Sequence, residues 1–195
     1  MDAIRSFVAI ELSRSIQQQL ETLIGKLKSP RTQAVRWVPT ANIHLTIKFL
    51  GDVSPKNMDL LKNMLKAEVS QQHSFSLTIG GLGAFPTVKR PRVIWVRITA
   101  PPQLISLVHL VESETSKLGY ANEDRPFSAH LTLGRVSQNA TPEQVRQVAE
   151  ALAGLTVGQL GTTEVREVIL FKSELRPSGA EYAPLFKVPL RAAAP

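Results

Sequence analysis

The order of predicted elements indicates an α+β fold with largely antiparallel sheets. Hydrophobic spacing predicts four helices and about eight strands, and the two kinds of element do not alternate strictly along the chain. The same order of elements occurs twice: a helix, a loop, a strand that contains His-x-Thr, and a helix that opens with Ser-Pro or Thr-Pro. A length of 195 residues, with 43% apolar and 20% charged residues, supplies enough apolar material for a core. We therefore expect a folded α+β protein with an internal duplication.

In the first half, apolar residues at three- and four-residue spacing predict a helix from Ser13 to about Lys28, and a second helix begins at Ser54-Pro55 and runs to about Val69. Ser54 is a favourable N-cap, and proline is tolerated at the first helical position. Alternating patterns predict strands over residues 5–12, 43–50 and 75–82, with a short extended piece around residues 36–39. We interpret the sequence Gly-Gly-Leu-Gly at 80–83 as a turn that ends the third strand.

The second half repeats this plan. A helix over residues 101–118 is stopped by Gly119, and Thr141-Pro142 opens the last helix, which reaches about residue 152. Between the two helices lies a predicted strand over residues 127–136. Further strands are predicted at 93–99, 155–160, 164–175 and 182–190, with a turn at Pro177-Ser178-Gly179.

The motif His-x-Thr occurs twice, 86 positions apart, as His44-Leu-Thr46 and His130-Leu-Thr132. Side chains alternate between the faces of a strand, so each strand presents an imidazole and a hydroxyl on the same side. Two such strands facing one cleft would supply an acid, a base and two hydrogen-bond donors for a phosphoryl group. Two core histidines are the plain alternative. The matching neighbours of the motifs and their equivalent places in the repeat favour the functional interpretation.

Composition limits the chemistry. The chain contains no cysteine, which excludes a disulfide, a thiolate nucleophile and cysteine-ligated zinc. We expect neither a metal nor another cofactor. An excess of 23 Lys and Arg over 16 Asp and Glu leaves a formal charge of +7, which would attract a polyanion. No apolar run is long enough for a membrane span or a secretory signal, so we expect a cytoplasmic protein. No long apolar face is left over, so we expect a monomer.

The two motifs, HLTIKFLG and HLTLGR, resemble those of the two-histidine phosphoesterase superfamily, and the chain is most similar to its RNA 2′,3′-cyclic phosphodiesterase branch, also called 2′-5′ RNA ligase. The similarity extends from the first strand to Tyr182. The resemblance implies one bilobal domain over residues 1–195, in which each lobe contributes one motif strand to a central cleft around an approximate twofold axis. It also implies RNA with 2′,3′-cyclic phosphate ends as the substrate, tRNA fragments among them.

Hydrolysis of a cyclic phosphate needs a base for water, an acid for the departing oxygen and donors for the phosphoryl oxygens. Two imidazoles can divide the first two tasks near neutral pH, and Thr46 and Thr132 would be the donors. The residues alone leave the two histidines interchangeable. The resemblance implies that His44 donates the proton to the 3′ oxygen, that His130 accepts one from water, and that the reverse reaction forms 2′-5′ bonds.

Arg135 and Lys48 are the candidate substrate-binding residues. Arg135 matches a family position, yet strict alternation turns it away from His130, so it reaches the cleft only if Gly134 introduces a bulge or the strand ends there. Alternation places Lys48 on the face of His44, with Leu45, Ile47 and Phe49 on the core face. A charge on the rim of the cleft is an equally good interpretation of Lys48. Phe7, Trp37 and Tyr182 could stack on bases of the substrate, but core packing is the favoured interpretation.

Two other classes of function remain open. A nucleotide- or RNA-binding module without catalysis could keep the same cleft, and the substrate could be another small cyclic or 2′-5′ nucleotide. A metallohydrolase is disfavoured because neither motif carries a carboxylate or a third histidine at ligand spacing.

Overall fold

The computed structural model describes residues 3–176 and 179–192. They form two antiparallel sheets with four helices, which confirms the predicted α+β class. The helices are α1 (Arg14–Leu27), α2 (Pro55–Glu68), α3 (Pro102–Lys117) and α4 (Pro142–Ala153). The strands are β1 (Ile4–Ile10), β2 (Val35–Trp37), β3 (Leu45–Val53), β4 (Phe75–Thr87), β5 (Arg90–Thr99), β6 (His130–Val136), β7 (Gln159–Val165), β8 (Glu167–Arg176) and β9 (Gly179–Pro189).

The helices begin and end where their sequence signals predict. The side chains of Ser54 and Thr141 accept hydrogen bonds from the backbone N–H groups three residues ahead, and a proline occupies the next position in both cases. Gly119, just beyond α3, has a φ of 90°, a conformation in which glycine is strongly favoured. Each helix buries one apolar stripe, as its periodicity predicts.

The strand order reproduces the sequence repeat. One sheet has the order β3-β1-β8-β9 and the other β2-β6-β5-β4-β7. The units β1-α1-β3-α2 and β5-α3-β6-α4 match, and in each the motif strand pairs antiparallel with the first strand of its unit. The second motif strand has an extra neighbour, the short β2. The two motifs therefore lie on equivalent strands of two different sheets.

The prediction of a turn at Gly80-Gly81-Leu82-Gly83 is wrong, because β4 continues through these residues to Thr87. The pairing of β4 with β5 shifts register between Ile79 and Leu82, and Gly81 has a φ of 78°, so the glycines bend the strand without ending it. They also permit close packing. A Cβ atom at Gly83 would lie 2.4 Å from the indole ring of Trp95.

The last strands differ from their predicted bounds. The predicted strand over 155–160 begins too early, since β7 starts at Gln159, and the predicted strand over 164–175 spans the change from β7 to β8 at Arg166. There the chain passes from one sheet to the other, a change that the apolar pattern of a continuous run does not reveal. Pro177 and Ser178, in the predicted turn before β9, lie outside the described residues.

Both sheets contribute to the same hydrophobic core. Buried Val8 and Leu170 come from the four-stranded sheet, Ile94 and Leu131 from the five-stranded sheet, and Leu107 from α3. Across the described ranges, no helix combines the length and the apolar character that crossing a membrane requires.

Candidate active site

Each motif strand contains one extra residue directly after its threonine. In the pairing of β3 with β1, Lys48 is opposite Val8 and Thr46 is opposite Ala9, which leaves Ile47 without a partner. In the pairing of β6 with β5, Gly134 is opposite Ile94 and Thr132 is opposite Trp95, which leaves Leu133 without one. Such a bulge shifts the alternation of side chains by one residue. The residue three positions after each threonine therefore joins the histidine and threonine on the cleft side.

The bulge at Ile47 reverses two predictions. Phe49, predicted to be a core residue, is 59% exposed and lines the cleft. Lys48, predicted to share the face of His44, points to the interior instead, with a side chain only 1% exposed. Its ammonium group donates hydrogen bonds to the Glu112 carboxylate at 2.6 Å and to the Ala121 carbonyl at 2.5 Å. The placement of Lys48 in the cleft is thus wrong, because the pattern of a single strand does not show a bulge.

The bulge at Leu133 and Gly134 has the opposite consequence for Arg135. It turns this side chain to the cleft side, where it is exposed and lines the same cavity as His130 and Thr132. The bulge that Arg135 needs in order to reach the cleft is therefore present. Gly134 fits here because a Cβ atom would lie only 2.8 Å from Val35 on the adjacent strand β2. Arg135 and Phe49 occupy equivalent positions in the two repeats.

The two imidazoles are oriented by equivalent hydrogen bonds to the backbone. Nδ1 of His44 lies 2.9 Å from the carbonyl oxygen of Asn42, and Nδ1 of His130 lies 2.6 Å from that of Ser128. A carbonyl oxygen only accepts hydrogen bonds, so Nδ1 carries the proton in both rings. In the neutral form, Nε2 of each ring is then an acceptor. Both histidines therefore keep one ring nitrogen available for proton transfer, and the carbonyl two residues earlier fixes the tautomer.

Aromatic rings surround the two imidazoles to different degrees. The ring of His44 is stacked on Phe7 at a centroid distance of 4.7 Å and is perpendicular to the ring of Tyr182, with the centroids 5.0 Å apart. His130 meets Phe85 edge to face at 5.0 Å. Phe7 is buried, as predicted, whereas Tyr182 is half-buried and lines the cleft. His44 is thus the more enclosed of the two histidines.

The cleft lies between the two sheets and has a volume of about 160 Å³. The structure brings both histidines, both motif threonines and Arg135 to its wall. The other lining residues are Val38, Asn42, Ile43, Phe49, Ser128 and Tyr182. Asn42 also donates a hydrogen bond from Nδ2 to the carbonyl of Ala180 on β9, which ties the segment before β3 to the β8–β9 hairpin.

Burial lowers the pKa of His44 from 6.5 to about 4, and the hydrogen bond to the Asn42 carbonyl offsets this effect only in part. In the ligand-free protein, His44 is therefore neutral at pH 7. We expect its imidazole resonances to titrate with a midpoint near pH 4 in an NMR experiment. A midpoint for His44 close to 6.5 would contradict the enclosure described above.

The lowered pKa also predicts how stability depends on pH. Between about pH 4 and 6.5 the unfolded chain binds a proton at His44 that the folded protein does not bind, so the free energy of unfolding rises with pH in this window. The contribution is complete above pH 6.5 and is lost as the pH falls to 4. We expect it to be about 2 kcal/mol, which is less than the full pKa shift would give, because the ring is partly exposed to solvent. Urea unfolding at several pH values should show a shallower dependence for His44→Gln than for His109→Gln.

Among residues 3–176 and 179–192, no three His, Asp or Glu side chains form a group suited to hold a metal ion. The ring nitrogens and hydroxyls of the cleft suit proton transfer and hydrogen bonding to an anion. The other two histidines lie elsewhere on the surface: His109 on α3, and His73, whose Nδ1 donates to the carbonyl of Ala192.

Sequence patterns did not identify Asn42, Ser128 and Phe49 as residues of the cleft. Asn42 and Ser128 act on the histidines through their backbone carbonyls, for which the residue type carries no signal. Their common position, two residues before each histidine, was the available clue, because a repeated motif implies a repeated environment.

Two antiparallel sheets that each present a His-x-Thr strand to one cleft form the arrangement that the motifs imply for a two-histidine phosphoesterase. The family model described as LigT-like phosphoesterase matches residues 10–95 and 97–182. The chain is 33% identical over 181 residues to the RNA 2′,3′-cyclic phosphodiesterase of Archaeoglobus fulgidus, covering 93% of this chain and 97% of the relative. It is 31% identical over 179 residues to the protein of the same name from Methanothermobacter thermautotrophicus, covering 92% and 95%.

Among solved structures, Escherichia coli LigT complexed with 3′-AMP matches with a TM-score of 0.77 and 29% identity, covering 96% of this chain and 98% of that one. The chain belongs to the LigT-like phosphoesterase family. This result confirms the resemblance that the two motifs indicate.

Proposed function

We propose that the protein is an RNA 2′,3′-cyclic phosphodiesterase that opens the cyclic phosphate to a 2′-phosphate by two-histidine acid–base catalysis, without a metal. The observation that carries the proposal is the meeting of two imidazoles and two hydroxyls in one cleft, with Nδ1 of both rings held by a backbone carbonyl. Relatives that share about 30% of their residues over most of both chains carry this name. An RNA end is accordingly the substrate that we propose.

In the proposed reaction, Nε2 of His130 accepts a proton from water as the water oxygen forms a bond to phosphorus. The bond between phosphorus and the 3′ oxygen breaks, and His44 gives that oxygen a proton, which leaves a 2′-phosphate and a 3′-hydroxyl. Thr46 and Thr132 donate hydrogen bonds to the phosphoryl oxygens, where negative charge develops. Arg135 is a cation on the same wall of the cleft.

The pKa of His44 bears on the division of roles. A neutral His44 at pH 7 would suit a base, whereas the proposed role as the acid requires the protonated ring. A bound phosphate anion favours the protonated form, because an opposite charge nearby raises the pKa of an imidazole. We therefore assign the acid role to His44 in the substrate complex only. If the pKa of His44 stayed near 4 with a 2′-nucleotide bound, His44 would be the base and His130 the acid.

The reverse reaction follows from the same groups. With the 5′-hydroxyl of a second RNA strand in place of water, the site would join the two strands through a 2′-5′ bond. Hydrolysis dominates in this proposal, since water is present at far higher concentration than RNA ends.

The test is incubation of an RNA oligonucleotide that ends in a 2′,3′-cyclic phosphate with the protein in excess chelator, followed by ³¹P NMR of the product. We expect complete conversion to a 2′-phosphate. A 3′-phosphate product would overturn the choice of bond, and dependence on added metal would overturn the mechanism. Binding without turnover would favour the nucleotide-binding alternative, and turnover of a small cyclic nucleotide alone would favour a different substrate.

A further inference from the structure

Two arginines stand side by side at the edge of the five-stranded sheet, next to the cleft. In the antiparallel pairing of β2 with β6, Arg36 lies directly opposite Arg135. Residues directly opposite each other in a sheet project on the same face. Arg36 therefore shares the face on which Arg135 lines the cleft, and both residues are exposed.

Like charges in directly opposite positions of a sheet destabilise it. The ion pairs of arginine found in the described part of the chain belong to Arg146, Arg166 and Arg176, so in this part no carboxylate neutralises Arg36 or Arg135. The equivalent position in the other repeat holds the uncharged Phe49. The positive charge is thus concentrated on one side of the cleft, where an anion bound between the two guanidinium groups would relieve the repulsion.

The side chain of Arg36 reaches across to the other sheet. One of its terminal guanidinium nitrogens lies 3.0 Å from the position that a Cβ atom would take at Gly179, the first residue of β9. The absence of a side chain at Gly179 leaves room for this approach. Arg36 thus extends from β2 toward the β8–β9 hairpin, beside the cavity that holds the reacting groups.

We propose that Arg36 and Arg135 form a subsite for the internucleotide phosphate that precedes the cyclic end of an RNA strand. This inference rests on the proposed function, which places the terminal phosphate between the two histidines. Guanidinium groups are opposite in charge to a phosphodiester, and their paired N–H donors match the geometry of its non-bridging oxygens. A cyclic mononucleotide lacks this phosphate, so the subsite makes the protein selective for the ends of RNA strands over free 2′,3′-cyclic nucleotides.

The experiment compares two ligands that differ by one nucleotide unit, which includes the internucleotide phosphate: a nucleoside 2′-monophosphate and a dinucleotide with the same 2′-phosphate end. Their dissociation constants are measured by calorimetry for wild type, Arg36→Gln and Arg166→Gln. The last variant removes the same charge from the β7–β8 connection, at a residue outside the cleft lining. The turnover of the corresponding cyclic phosphates is measured alongside.

We expect Arg36→Gln to weaken binding of the dinucleotide about tenfold, the loss of one charge-assisted contact, and to leave the mononucleotide unchanged. The slope of log affinity against log salt for the dinucleotide should fall by about 0.7 in that variant. Arg166→Gln should change neither ligand. Equal weakening of both ligands by Arg36→Gln, or of neither, would overturn the subsite. Selective weakening without turnover of either cyclic substrate would support the subsite and overturn the proposed hydrolysis.

Discussion

Replacement of His44 or His130 by alanine is expected to lower kcat for hydrolysis of a 2′,3′-cyclic phosphate RNA end by about 10²- to 10⁴-fold, the usual contribution of a positioned acid or base. Each variant keeps the cleft, both threonines and Arg135, so substrate binding should suffer less than kcat. The measurement is steady-state kinetics in chelator, with wild type and His109→Ala as references. His109 is exposed on α3, and its variant should retain full activity.

The two histidines act on one phosphate in this scheme, so their losses should not multiply. The double variant is expected to be about as slow as the slower single variant, since removal of either group already prevents concerted proton transfer. His44 packs on Phe7, so His44→Gln, which retains more of the volume, is measured with it, and thermal unfolding checks that the variants fold. A variant of either histidine that kept most of its hydrolytic activity would refute the scheme.

The second large effect concerns stability. Lys48 is a buried cation, with its side chain 1% exposed, while its partner Glu112 is 19% exposed. Replacement of Glu112 by glutamine leaves the buried ammonium group without a counter-charge, and we expect it to lower the free energy of unfolding by about 3 kcal/mol. Lys48→Met should cost less, because the carboxylate that remains has access to water. The double variant Lys48→Met/Glu112→Gln should recover most of the loss.

A matched control lies on the same helix. Glu114 pairs with Lys117 at the same distance of 2.6 Å and is equally exposed, yet Lys117 is 66% exposed. Glu114→Gln should therefore cost less than about 1 kcal/mol, as exposed ion pairs do. Urea unfolding of the four variants and the wild type measures these changes in the free energy of unfolding. Equal losses for Glu112→Gln and Glu114→Gln would show that burial of Lys48 does not control the energy of its pair.

The Lys48 pair also has a place in the architecture of the site. Lys48 follows the bulge of the first motif strand, and its second hydrogen bond holds the carbonyl of Ala121. Ala121 begins the segment that leads to Ser128 and His130. Lys48, which alternation places on the face of His44, is therefore part of a buried link between the two motifs.

The elements that repeat locally were predictable from the sequence. Helices α2 and α4 have periodic apolar faces and serine or threonine caps before proline, signals that depend on residues within one turn. The two histidines and threonines were found because their motif occurs twice. Their partners were harder to identify, because the carbonyls of Asn42 and Ser128 depend on the local path of the backbone.

The bulges mark the limit of prediction from alternation. Whether Ile47 has a partner on β1 depends on how β3 aligns with β1, and these two strands are distant in sequence. The consequence was an inverted assignment for Lys48 and Phe49. At the second motif, Gly134 gave a clue to the bulge, and the prediction for Arg135 could be stated as a condition. In β4 the glycines led to the wrong prediction of a turn. Close packing against Trp95 accounts for Gly83.

The central claim is that both imidazoles contact one phosphate, and it is tested most directly by ¹⁵N NMR of histidine side chains during titration with a nucleoside 2′-monophosphate. We predict that the Nε2 signals of His44 and His130 shift together along one binding curve that saturates at one equivalent, while those of His73 and His109 stay unchanged. A shift of only one of the two cleft histidines, or two separate binding curves, would contradict the claim.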